Sequence, residues 1–189
     1  VKQAKTLTAS EFKRVLAVIR AGRHAQRNEV AFMLSYYAGL RVKEIASLAY
    51  CDILDASGAV KRTVTLAAEQ TKGSRARTIV LSDRLAKTLC EYVALSKNKN
   101  YQGLPLIRSQ KGAAFSANSL CQLFLRIYAA AGIDGASSHS GRRTFITNLA
   151  HKGVSAKVLM TLAGHQHMST TQRYIDVNDN MLREAVELM

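Results

Sequence analysis

Between residues 61 and 82 the chain exchanges one apolar period for another, and that switch limits its fold more than any other feature. KRTVTLAAE and ARTIVLS alternate and are rich in β-branched residues, and they flank Thr71-Lys72-Gly73-Ser74. This pattern predicts a β-hairpin. A further strand is expected near Cys51–Leu54. On both sides of the hairpin the spacing is helical. Thr8 and Glu11 form a T-x-x-E capping box ahead of Phe12, Val15, Leu16 and Ile19, an i, i+3, i+4, i+7 stripe. Residues 28–38 are apolar on nearly all sides, which predicts a buried central helix stopped by Gly39. A short helix over 42–49 follows. After the hairpin, Ser82 opens a helix with Leu85, Leu89 and Val93 inward, and the polar loop SKNKNYQG comes next. Ser116 caps a helix whose stripe is Leu120, Leu123, Phe124 and Ile127. Helices over 141–151 and 156–163 end at Gly153 and Gly164, and the amphipathic segment NMLREAVELM closes the chain. The fold class is mainly α with one small antiparallel β-sheet (α+β).

At 189 residues the chain suits a single domain, here read as 1–189. Lys and Arg outnumber Asp and Glu by 27 to 13, a net charge of +14. Such an excess on one compact domain fits a polyanionic partner, although a solubilising basic surface has the same composition. No apolar run is long enough to span a bilayer, and no signal-peptide h-region opens the chain. The chain starts at Val1, as an excised or processed piece would. Cys51, Cys90 and Cys121 are widely spaced and read as small buried hydrophobes in a reducing compartment, with no disulfide framework or zinc site.

In HSGRRTFITNLAHKG, Ser140 is the expected N-cap. Arg142 shares the apolar stripe of Phe145, Ile146 and Leu149, while Arg143 points elsewhere. An arginine on a core-facing stripe needs an anion or carboxylate to meet it. In GLRVKEIASL, Arg41 sits at the edge of the face made by Val42, Ile45, Leu48 and Ala49. Glu44 lies beside it, able to hold the guanidinium, and Lys43 faces solvent. Two helices thus each offer an inward arginine. That arrangement suits one anion site, and structural salt bridges would also produce it.

In LMTLAGHQHMSTTQRYIDV, Gly164 ends a helix and leaves His165 at a rigid corner. Tyr174 follows in a short polar helix, where a tyrosine ordinarily serves as a packing residue. His165 and His167 carry no carboxylate or cysteine cluster that would complete a metal site.

Taken in order, Arg41 in GLRVKEI, Lys72 in EQTKGSRARTIVLS, His139 and Arg142 in H-S-G-R, His165 in A-G-H and Tyr174 in STTQRYI resemble the full active-site set of the tyrosine recombinases (phage-integrase family). The resemblance covers essentially the whole chain. It implies site-specific cleavage and rejoining of double-stranded DNA through a 3′-phosphotyrosyl intermediate, as in integration, excision or inversion by a prophage or mobile element. Tyr174 would be the nucleophile. Arg41, Arg142 and His165 would donate to the non-bridging oxygens, His139 would act as general base, and Lys72 would protonate the leaving 5′-oxygen. Glu44 would orient Arg41 and His139. The resemblance implies no metal and no cofactor. It further implies a tetramer on DNA, with the C-terminal segment passed to a neighbouring protomer, and a cytoplasmic, nucleoid-associated location in a bacterial or phage-bearing cell. An N-terminal core-binding domain, common in the family, is absent from this chain. The competing readings are a type IB topoisomerase-like relaxation of DNA and a non-catalytic DNA-binding regulator. The second draws on AGLRVKEIASLAY, which resembles half of a helix-turn-helix.

Overall fold

The computed structural model describes residues 3–71, 75–96, 101, 103–175, 182–183 and 186–187. Its elements, in order, are α1 (Ala9–Ala21), α2 (Ala25–Ala38), α3 (Val42–Ser47), α4 (Tyr50–Ile53), β1 (Thr63–Leu66), β2 (Arg77–Val80), α5 (Asp83–Ala94), α6 (Ala117–Ala130), α7 (Ser140–His151), α8 (Ala156–Ala163) and α9 (Met168–Gln172). A 3₁₀ turn, Ala68–Gln70, follows β1.

The capping box before α1 forms as the sequence predicts. The Thr8 hydroxyl accepts from Glu11 N–H, and the Glu11 carboxylate accepts from Thr8 N–H at 2.9 Å. Helix α2 is the central helix, with Val30, Phe32 and Leu34 enclosed, and it packs against α1, α5 and α7. Gly39 closes it in the left-handed conformation (φ +61°). A Cβ at Gly39 would meet the Phe145 ring at 2.6 Å, so the missing side chain lets α7 approach. One turn earlier on α7, Gly141 lies over Ser35 of α2, where a Cβ would fall 2.7 Å from the serine Oγ. These two close approaches bring the first turn of α7 against the end of α2.

Strands β1 and β2 pair antiparallel, with Val64 opposite Ile79 and Leu66 opposite Arg77. Val64, Leu66 and Ile79 face the core, and Thr63 and Thr65 face solvent.

Three local expectations are corrected. The strand near Cys51–Leu54 is the one-turn helix α4, and only Leu54 bridges to the hairpin arm at Val60. The Asp52 carboxylate accepts from Ala49 N–H at 2.9 Å and caps that turn, and Tyr50 and Ile53, three residues apart, enter the core together. The cap of α7 is His139, with Ser140 the first helical residue. Ser140 is buried, and its hydroxyl accepts from Ser137 N–H at 2.9 Å. Finally, Cys51 and Cys90 are exposed and Cys121 is half-buried. Helix α5 buries Leu85, Ala86 and Leu89, and Cys90 lies one position round from that stripe.

Much of the loop SKNKNYQG lies outside the described residues, as do Lys72 and most of NMLREAVELM. Of the apolar face expected there, Leu182 and Val186 are exposed. Among the described residues no helix is long and apolar enough to cross a membrane.

Candidate active site

The ends of α3, β2, α7, α8 and α9 converge at one point. Arg41 is the N-cap of α3, and the third helical residue, Glu44, folds back onto it. Glu44 accepts from Arg41 N–H at 2.8 Å and from Arg41 Nη1 at 3.0 Å. The carboxylate is wholly buried and also takes two bonds from Arg77 of β2, Nε at 3.2 Å and Nη2 at 2.8 Å. Both of its oxygens are therefore committed to guanidinium groups. Burial is the largest influence on this carboxyl and works against its charge. The Arg77 hydrogen bond and charge, aided by Arg41, outweigh it and hold Glu44 below the usual carboxylate range.

Arg142, the third residue of α7, is 5% exposed. Its Nη1 donates to Gly39 O at 2.5 Å and its Nη2 to Ala163 O at 2.7 Å. Arg77 Nη1 donates to Leu162 O at 2.8 Å. Two arginines thus satisfy carbonyls that the end of α8 leaves without helical partners, and their charge suits the negative end of the helix dipole. Burial, and after it the charges of Arg41 and Arg77, pull Arg142 down to about 9. It remains a cation at neutral pH.

The same end of α8 sets His165. Gly164 takes the left-handed conformation (φ +62°), and His165 N–H donates back to Met160 O at 3.0 Å. The ring Nδ1 lies 3.0 Å from the hydroxyl of buried Thr171 on α9, leaving Nε2 as the other polar ring atom. Burial, followed by the charges of Arg142, Arg41 and Arg77, lowers His165 to about 4. The imidazole is accordingly neutral at pH 7.

Tyr174 follows α9, its N–H bonded to Thr171 O at 2.9 Å. Its ring stacks on His165, with centroids 5.8 Å apart and planes 23° apart. The Arg143 guanidinium lies 5.5 Å from the same ring centroid. A cleft of about 860 Å³ opens here, lined by Lys5, Ser137, His139, Arg142, Arg143, Thr170, Arg173 and Tyr174 among others, and among the described residues none of its lining is a carboxylate. Cationic walls without acidic ones favour a polyanion.

Of the residues expected from sequence, His139, Arg142 and Tyr174 share the cleft, His165 touches Tyr174, and Arg41 joins them through Glu44, Arg77 and the end of α8. Lys72 lies outside the described residues. The segment that leads to it is held by Lys43 Nζ, which donates to Thr71 O at 3.3 Å, and by the Thr71 hydroxyl, 2.8 Å from Arg75 O.

Two arginines of this region, Arg77 and Arg143, are not among the site residues expected from sequence. Arg77 shares its strand face with Ile79, so the period of two could have placed it inward. Arg143 shares a helical stripe with Ile146 and Ala150, both buried, so it does not project away from the fold.

Comparison with known proteins places these features in a wider group. The sequence profile described as "Phage integrase family" matches residues 5–181. The chain is 30% identical to tyrosine recombinase XerC of Brucella suis biovar 1 (strain 1330), covering 97% of this chain and 58% of the relative. It is 32% identical to tyrosine recombinase XerA of Thermococcus kodakarensis, covering 97% of this chain and 62% of that one. The chain therefore spans about three-fifths of these relatives' length. Its fold matches the crystal structure of XerA recombinase with a TM-score of 0.77 at 23% identity, over 100% of this chain and 66% of that one. It also matches the Tn1549 transposon integrase in complex with circular intermediate DNA, with a TM-score of 0.78 at 19% identity over 99% and 67% of the two chains.

Proposed function

This chain belongs to the phage integrase family, and from that premise we propose that residues 1–189 form a catalytic domain that cleaves and rejoins double-stranded DNA at specific sites through Tyr174. One observation carries the reading. Two guanidiniums share one buried carboxylate and a third, Arg142, is held by the carbonyls of Gly39 and Ala163, next to a tyrosine that is stacked on a neutral histidine, in a cleft lined with cations.

The chemistry follows from that arrangement. A phenol is mostly protonated near neutrality and needs an acceptor for its proton as it attacks phosphorus. His139, exposed on the same cleft, takes that role. The Tyr174 oxygen bonds to phosphorus as the bond to the 5′-oxygen breaks, and Lys72 supplies the proton that makes the leaving group a hydroxyl. Charge building on the non-bridging oxygens is met by Arg41 and Arg142, whose fork geometry suits phosphate and which keep their protons. In the tautomer whose Nδ1 accepts from the Thr171 hydroxyl, neutral His165 carries its proton on Nε2 and would donate a hydrogen bond to the same oxygens. The phosphotyrosine retains the energy of the broken bond, so the 5′-hydroxyl of a second strand can reverse the step without metal or nucleotide. Four such domains would assemble on two DNA sites, and the C-terminal segment, exposed at Leu182 and Val186, would dock on a neighbour.

Covalent capture tests the reading. Incubation with a random-sequence pool of nicked duplexes should yield an SDS-resistant adduct joined to a 3′-phosphate. Tyr174→Phe should abolish it while leaving DNA binding intact. An adduct that persists in Tyr174→Phe overturns the assignment.

A further inference from the structure

We propose that Arg143 is a positioning residue for Tyr174, its guanidinium resting against the phenol ring and fixing the ring in the cleft for attack. The chemistry rests on the recombinase reading above, and the geometry stands apart from it. The Arg143 Cζ lies 5.5 Å from the Tyr174 ring centroid, within the range at which a cation is attracted to an aromatic face. Arg142, one residue earlier, is committed to the carbonyls of Gly39 and Ala163. Arg143 makes no ion pair among the described residues and lines the same cleft as Tyr174.

Tyr174 needs such a tether. It stands just beyond α9, a helix of five residues, too short to be rigid without tertiary contacts. Among the described residues its backbone is held by a bond to Thr171 O, and its ring by the stack on His165. Both supports come from the neighbourhood of α9. Arg143 adds one from α7, the helix that also carries Arg142. It therefore ties the nucleophile to the element that holds the phosphate-binding arginine, and so sets the distance between attacking oxygen and phosphorus. In the step itself the phenol O–H proton passes to His139, the oxygen–phosphorus bond forms and the bond to the 5′-oxygen breaks. Arg143 exchanges no atom.

Position matters steeply, since a shift of about 1 Å in a reacting group costs up to about 100-fold in rate. Partial loosening of the ring in Arg143→Gln should therefore slow single-turnover adduct formation on random-sequence nicked duplexes about tenfold at saturating DNA, while half-saturation changes by less than about twofold. Arg143→Lys, which keeps a cation over the ring, should recover most of the rate. The contact is read directly in protein labelled with ¹³Cζ-tyrosine, where Tyr174→Phe identifies the resonance. That signal should move and broaden in Arg143→Gln and return toward its wild-type position in Arg143→Lys. An unmoved Tyr174 signal, with the salt dependence of DNA binding reduced by about 0.9 in log–log slope, would make Arg143 a phosphate contact and overturn the proposal. If the signal moves but the wild-type protein forms no Tyr174-dependent adduct, the contact stands and the recombinase reading falls.

Discussion

Arg77 and Glu44 form an enclosed ion pair, Nη2 to carboxylate 2.8 Å, that joins the hairpin to the helical part of the site. Arg77 also holds the last turn of α8 through Leu162 O, so one side chain links β2, α3 and the corner that carries His165.

Removing the carboxylate should therefore be costly. Glu44→Ala leaves Arg77 and Arg41, with side chains 10% and 18% exposed, facing each other without a counter-charge. Breaking a buried pair from one side typically costs about 3–5 kcal/mol, read as a lowered urea midpoint. A loss below about 1 kcal/mol would show that solvent replaces the carboxylate. In a double-mutant cycle, Arg77→Ala should couple strongly to Glu44→Ala.

Gly164→Ala should be disproportionately harmful for so small a change. The position has φ +62°, and a Cβ there would lie 2.5 Å from Arg77 Cδ. The left-handed conformation alone costs a non-glycine residue about 1–2 kcal/mol. Displacement of Arg77 adds to that, so thermal unfolding should shift down by more than the backbone term predicts. In an Arg77→Ala background the added alanine should cost only the backbone term. Full additivity of the two losses would argue against the steric contact.

His165 makes stability depend on pH in a defined window. Its folded value is lowered to about 4 by burial and by the charges of Arg142, Arg41 and Arg77, against about 6.5 in an unfolded chain. Between those values the unfolded chain binds the proton and the folded one does not, so stability falls as pH drops from about 6.5 toward 4. Compared with His165→Gln, which lacks this titration, the wild type should lose about 1–3 kcal/mol across the window, allowing for the ring's partial exposure. Equal pH dependence of the two proteins would show that His165 is not depressed. A bound phosphodiester should raise the imidazole value, so DNA binding near pH 5 should take up a proton, measurable by calorimetry in buffers of different ionisation enthalpy.

Lys72 is assigned the leaving-group proton by family resemblance, and a chemical substitution isolates that role. Lys72→Ala should cleave ordinary DNA about 10²–10⁴-fold more slowly. It should recover when the 5′-bridging oxygen is replaced by sulfur, because a thiolate leaves without protonation. Arg41→Ala and Arg142→Ala should gain no comparable rescue, since the proposed mechanism has them act on the non-bridging oxygens. Rescue of the arginine variants and not of Lys72→Ala would remove Lys72 from the acid role.

Much of this architecture is legible along the chain because it is local. The Thr8–Glu11 box, the all-round apolar α2, the serine caps of α5 and α6, and the turns at Gly39 and Gly164 each depend on residues within a few positions of one another. The inward turn of Arg142 and the hold of Glu44 on Arg41 are legible for the same reason, since helical spacing defines both. The failures are equally physical. Cys51–Leu54 carries the apolar run of a strand, yet an Asp52 cap bends it into a helical turn. Cys90 has the character of a core residue and lies on the outer side of α5.

The partnerships that build the site are of another kind. Arg77 is 33 residues from Glu44 and 85 from Leu162, and Arg142 is 103 from Gly39. Periodicity can say that such a side chain faces inward, but the acceptor it finds depends on which helix ends are brought together in space. Here glycines at the α2–α7 contact allow the approach, and the unsatisfied carbonyls of Leu162 and Ala163 give the two arginines their places. The contact of Arg143 with Tyr174 has the same origin, because the end of α9 meets α7 only once α8 has turned the chain at Gly164.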